Sequence, residues 1–139
     1  VVEYNARFGD PETQPILSML DTDLMDIFQA CVDGTLDQVD IKWKSGAACC
    51  LVLASGGYPV KYQSGYPITG LAEAAALGAT VFHAGTKQGE TGTVLTAGGR
   101  VLGVTALGST LEEAIDKAYA AAKPIAFQDI HFRTDIGKV

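Results

Sequence analysis

The sequence is short of basic charge where it begins, of long apolar runs throughout, and of cysteine in any useful spacing. Residues 1 to 40 hold nine Asp or Glu against Arg7 alone, in a chain whose net charge is −6. An acidic first segment of this kind offers no electrostatic footprint for nucleic acid. The longest uninterrupted apolar run, Ala47 to Ala54, is far below the roughly 20 residues a membrane helix needs, and no basic-then-apolar leader opens the sequence. The expectation is therefore a chain with no nucleic-acid or membrane partner, cytoplasmic or held in an organelle interior. Three cysteines, two of them adjacent (Cys49 and Cys50), show no zinc-ligand spacing and leave an odd thiol. That argues against a secreted disulfide framework and for buried apolar thiols. No serine sits in a GxSxG elbow, and no glycine group has Walker or Rossmann spacing, so covalent nucleophile chemistry and the common phosphate cradles are disfavoured.

What is present is enough apolar material for a core: 47% of 139 residues, room for one domain and part of a second. Val2 to Phe8 alternates, with Val2, Tyr4, Ala6 and Phe8 on one face and Glu3, Asn5 and Arg7 on the other, as a half-buried strand requires. Asp10 is placed as the N-cap of a helix with Pro11 at its first position, running to about Leu20. A second helix is expected from a Thr22 cap, with Leu24, Ile27, Phe28, Cys31 and Val32 on one apolar stripe and a stop at Asp33-Gly34.

From about residue 46 the pattern changes to short β runs broken by glycine: 47–54, 79–85, 92–97 and RVLGVTAL, with Gly98-Gly99 read as a two-residue hairpin. Ser109 to Glu112 has capping-box spacing and launches a helix with Leu111, Ile115, Ala118, Tyr119 and Ala122 inward until Pro124. Residues 125–133 read as a last strand. The order gives an α+β class, with short antiparallel strands in a barrel-like or hybrid sheet, flanking helices, and a boundary within Lys42 to Gly46.

The opening strand also carries a chemical pattern. Glu3 and Asn5 set a carboxylate and an amide oxygen about 7 Å apart at their Cα atoms, near enough to share a cation. Two oxygen ligands suit Mg²⁺, which keeps waters and completes its octahedron with substrate phosphates. Arg7, next on that face, offers a fork to an anionic oxygen. The competing reading is a solvated polar face with no ligand.

RFGDPETQ (Arg7 to Gln14), preceded by Glu3-x-Asn5, resembles the signature of the glycinamide ribonucleotide synthetase (phosphoribosylamine-glycine ligase) family. The resemblance continues through ASGGYP (54–59), ITG (68–70), VFHAGT (81–86), GGRVLGVTALG (98–108) and FRTDIG (132–137). It covers nearly the whole chain and only the C-terminal part of that family: the last strand and helices of an ATP-grasp module (1–45), then a small C-terminal α+β domain (46–139). The resemblance implies an ATP-dependent ligase that joins glycine to 5-phosphoribosylamine through a glycyl phosphate, in purine synthesis. It implies Glu3 and Asn5 as ligands of Mg²⁺ or Mn²⁺, and Arg7 as a catalytic residue at phosphate or acyl-phosphate oxygens. Gly9, Asp10 and Glu12, with Arg7, would form the substrate pocket. The partners implied are ATP, glycine, 5-phosphoribosylamine and the remaining domains of a parent chain, without which this part is expected to be inactive. Two other classes stand beside it: a non-catalytic lid or interaction domain, and an ATP-grasp ligase for another carboxylate and amine.

Elsewhere the sequence predicts turn chemistry at Gly56-Gly57, a core histidine at His83, a structural ion pair between Arg133 and Asp135, and Trp43 as a linker anchor.

Overall fold

A computed structural model describes residue 1 and residues 4–137. Helix α1 (Thr13–Met19) and helix α2 (Leu24–Asp33) are followed by a 3₁₀ turn at Leu36–Gln38. Strand β1 (Ala47–Ser55) leads to a short helix α3 (Leu71–Ala76), then β2 (Thr80–His83), β3 (Thr86–Gln88), β4 (Val94–Thr96) and β5 (Arg100–Gly108). Helix α4 (Leu111–Ala122) and strand β6 (Ile130–His131) complete the chain. The sheet order is β2-β5-β1-β6, every pair antiparallel, while β3 and β4 form a separate hairpin. The α+β class with an antiparallel sheet and packed helices is as expected.

Alternation along β1 and β5 gives the sheet two different faces. Cys49, Leu51 and Leu53 pair with Ala106, Val104 and Leu102, and these residues form the core with α4. The helix contributes Ala114, Ala118, Ala121 and Ala122 to that core, small side chains that let its axis lie close to the strands, with Ile115 filling between them. The other face is covered by α1, which packs on β1 and β5. Gly103 leaves room there: a β-carbon on it would stand 3.2 Å from Cys50 Sγ and 3.9 Å from Gln14 Cγ. The segment carrying the signature is thus held against the central strands.

Several details differ from the sequence expectation. Residues 4–8 form no strand, since no strand among the described residues offers them an edge; Val2 and Glu3 lie outside the described residues. Helix α1 starts at Thr13 rather than Pro11, because the Asp10 carboxylate bonds to other side chains instead of capping. Asp23, not Thr22, caps α2, its carboxylate accepting from Met25 N at 2.8 Å, and Thr22 Oγ1 accepts from Lys42 N. The stripe on α2 is there but only partly covered: Leu24 and Ile27 are half-buried, while Phe28 is 43% and Val32 82% exposed, and the main packing partner of α2 is the 3₁₀ turn. On α4 the cap is one residue later than expected. Thr110 accepts from Glu113 N, Glu113 Oε2 accepts from Ser109 N at 2.6 Å, and Leu111 faces outward.

Gly98-Gly99 joins no hairpin, because β4 pairs with β3 and β5 with β1 and β2. The two glycines are required by close approach instead. A β-carbon on Gly98 would meet Gly85 Cα at 2.9 Å, and one on Gly99 would collide with the Tyr58 ring. The final run is a strand only at Ile130–His131, after a turn in which Asp129 takes φ 58°. Cys49 is buried and Cys50 half-buried, but Cys31 is exposed, and all three are free thiols. Trp43 makes an isolated bridge to Leu20 and is itself exposed, at the expected boundary.

Candidate functional site

The site begins with the turn that precedes α1. Arg7 NH1 donates to Asn5 Oδ1 at 2.6 Å and to the Phe8 carbonyl at 2.9 Å, so Asn5 and Arg7 are brought together on an exposed segment. Gly9 accepts from Thr13 N at 3.1 Å and from Thr13 Oγ1, which closes the turn into the helix. The Glu12 carboxylate folds back over Gly9, where a β-carbon would collide with Glu12 Oε2. Asp10 is fixed from two sides. Gln14 Nε2 donates to its Oδ1 at 3.1 Å, while Arg100 NH1 donates to its carbonyl at 2.7 Å and Arg100 NH2 lies 3.5 Å from Oδ2. Because Arg100 opens β5, this contact ties the turn to the central sheet across 90 residues of sequence.

Arg100 was not singled out by the sequence reading, which treated GGRV as turn and strand. The signal was an arginine set directly after two glycines at the mouth of an apolar strand. Gln14, inside the signature, has its Oε1 buried with no hydrogen-bond partner, an acceptor next to the Asp10 carboxylate. Gln14 also lines a cavity of about 440 Å³ with Thr13, Leu17, Ser18, Phe82 and His83. His83 is therefore not the core histidine expected. It is exposed, with Nδ1 3.1 Å from Thr86 Oγ1, because it ends β2 at the edge of the sheet.

Arg133 and Asp135 form the expected ion pair in bidentate form, at 2.8 and 2.7 Å, and the hydrogen bonds to that carboxylate hold the Arg133 guanidinium above its ordinary range. Tyr119 Oη donates to the Arg133 carbonyl, anchoring this segment on α4. Burial pushes the Cys50 thiol up, and the Cys49 thiol likewise, so neither is a thiolate nucleophile at neutral pH.

Of the two expected metal ligands, only Asn5 is among the described residues. Its amide oxygen is a hard donor of the kind Mg²⁺ and Mn²⁺ accept, and the Glu3 carboxylate is chemically suited to complete the pair. Among the described residues there is no cluster of three or more His, Cys, Asp or Glu that could hold a metal unaided. No helix of the described residues is long and apolar enough to cross a membrane.

Comparison with known proteins gives one answer. The family profile "Phosphoribosylglycinamide synthetase, C domain" matches residues 48–139. The phosphoribosylamine-glycine ligase of Synechocystis sp. is 54% identical over 138 residues, which is 99% of this chain and 33% of that protein. The enzyme of the same name from Vibrio cholerae is 51% identical over 138 residues, covering 99% of this chain and 32% of that protein. The crystal structure of phosphoribosylamine-glycine ligase from Thermotoga maritima superposes with a TM-score of 0.75 at 33% identity, over 97% of this chain and 32% of that one. The chain spans about a third of the length of the relatives it matches. With the profile matched over residues 48–139 and the relatives aligned over nearly all of the chain, the signature turn included, the chain belongs to the phosphoribosylglycinamide synthetase family and corresponds to its C-terminal third.

Proposed function

We propose that this chain is the C-terminal part of an ATP-dependent ligase that joins glycine to 5-phosphoribosylamine, giving glycinamide ribonucleotide, ADP and phosphate. The observation that carries the reading is the architecture of the turn: the RFGDPETQ segment is built onto the sheet by the Arg100–Asp10 contact, in a chain about half identical to ligases of that name. A carboxylate oxygen of glycine attacks the γ-phosphorus of ATP and ADP leaves. The amine of the sugar then attacks the glycyl carbonyl, phosphate leaves, and the amine gives up a proton. Glu3 and Asn5 would hold Mg²⁺ or Mn²⁺, which when bound supplies charge neutralisation at the phosphoryl oxygens. Arg7, already oriented by its bond to Asn5, stabilises the acyl-phosphate oxygens. Gly9, Asp10 and Glu12 shape the substrate pocket, where a carboxylate beside the buried Gln14 Oε1 is the environment an amine donor requires.

Residues 1–45 are read as the end of the ATP-grasp module and 46–139 as the C-terminal domain, a division supported by the start of the profile match at residue 48. The exposed apolar side of α2 supports the same division, since Phe28 and Val32 of the stripe, with Met25 beside them, offer a surface to the remaining domains of the parent chain. By itself the chain is inactive in this reading, because it spans about a third of the length of the ligases it matches. The parent works in the cytoplasm. Glycine labelled with ¹⁸O in its carboxylate tests the chemistry: one labelled oxygen arrives in the released phosphate, and unlabelled phosphate would overturn the glycyl phosphate route.

A further inference from the structure

A second site follows from an irregularity in the sheet. Leu53 pairs with Leu102, yet the next residue of β1, Ala54, pairs with Arg100, so Val101 is an extra residue bulged out of the β5 ladder. The consequence is directional. By simple alternation Arg100 would share the face of Leu102, the α4 core face, where an unpaired guanidinium is untenable. The one-residue bulge turns it to the opposite face and into register with Ala54. On the other side of β1, Ala54 pairs with His131. Arg100, Ala54 and His131 therefore stand in one row across three strands, the two polar side chains about 10 Å apart at Cα with only a methyl group between them. Arg133, two residues beyond His131, joins them, and with Val52 and Tyr58 these residues line a cavity of about 320 Å³ that has no carboxylate in its wall. Arg133 also borders Pro11 in the adjoining cavity, so both guanidiniums flank the signature turn.

We propose that this cavity is an anion subsite for a phosphate monoester, bound by Arg100, Arg133 and His131. Two guanidiniums and an imidazole approaching from different strands suit a tetrahedral group with three acceptor oxygens better than a planar carboxylate, which one fork satisfies. Arg100 uses one edge on Asp10 and Arg133 one edge on Asp135, contacts that fix both planes. The N–H groups not used there are the ones the phosphate takes. The proposal rests on the ligase reading for the identity of its ligand, the 5-phosphate of the sugar substrate. It gives Arg100 two roles: holding Asp10 at the amine end, and binding the phosphate at the other.

The test uses the full-length parent with two readouts. In steady-state kinetics, Arg133→Gln and His131→Ala each raise KM for 5-phosphoribosylamine at least tenfold, leave KM for ATP and glycine in place, and erase the preference for the phosphorylated sugar over ribosylamine. Arg133→Lys recovers part of the loss. Independently of turnover, inorganic phosphate shifts the arginine Nε resonances of Arg100 and Arg133 in the wild type, and the Arg100 shift is lost or strongly reduced in Arg133→Gln and in His131→Ala. An active parent whose variants keep their KM for the sugar phosphate overturns the subsite and leaves the ligase reading standing. A parent without ligase activity whose arginine resonances still respond to phosphate overturns the ligase reading and supports the subsite. Silence in both readouts overturns both. Unchanged circular dichroism of the variants excludes loss of fold as the cause.

Discussion

Leu53→Ala tests the assignment of the core face most sharply. Leu53 is fully buried in β1, just before the bulge, paired with Leu102 on the core face that packs against α4. Its neighbours close a gap poorly: the ladder fixes the strands, and the facing helix is mostly alanine, with Ile115 as its one larger buried side chain among the described residues. Leu→Ala substitutions in cores cost about 2–5 kcal/mol, more where the site cannot collapse, so about 4 kcal/mol is expected here. An unfolding entropy of about 2.1 cal/mol/K per residue gives roughly 0.3 kcal/mol/K for a chain this long, and the predicted fall in Tm is about 14 °C. The assay is thermal unfolding of this chain followed by circular dichroism. Val32→Ala is the internal control: at 82% exposed it should change Tm by less than about 2 °C. Equal shifts for the two variants would refute the division between the covered sheet and the exposed side of α2.

Three further outcomes are expected. Hydrogen bonds from Lys117 and Ser109 bring the Glu113 carboxyl down to about 2 from its ordinary 4.5. Its contribution to stability is thus fully present above about pH 4.5 and lost as pH falls toward 2. The gap in urea midpoint between wild type and Glu113→Gln should be full at about pH 6, narrow steadily as pH falls below 4.5, and close only below about pH 2; a constant gap would show that the cap does not titrate in the fold. In native protein a thiol reagent should modify Cys31 alone at first, and all three cysteines after denaturation, whereas equal early labelling of Cys50 would contradict its burial under α1. In the parent enzyme Glu3→Ala should abolish turnover with an unchanged fold, and wild-type turnover would remove Glu3 from the metal pair.

How far the sequence could be read depended on where the deciding contacts lie. Local rules worked where the contacts are local: the Gly34 stop of α2, the inward Ile115 and Ala118 of α4, and the Arg133–Asp135 pair. They failed by a residue where two capping groups compete, as at Thr22 with Asp23 and Ser109 with Thr110. Long-range requirements were invisible. Gly98-Gly99 has the composition of a hairpin, but its reason is contact with Gly85 and Tyr58, 13 and 41 residues away. The apolar stripe on α2 was read correctly as apolar, yet amphipathicity alone does not say whether its cover lies within these 139 residues. The candidate site was visible in the sequence as a motif, because RFGDPETQ is contiguous, while Arg100 reaches that turn only through a bulge that alternation cannot foresee.

The central claim is the ligase chemistry of the parent, and ADP release tests it most directly. Full-length enzyme with magnesium and ATP should release ADP when glycine and 5-phosphoribosylamine are both present, and release should collapse when either is omitted. Release indifferent to both omissions would contradict the account and give the lead to a binding module that keeps the signature turn without the reaction.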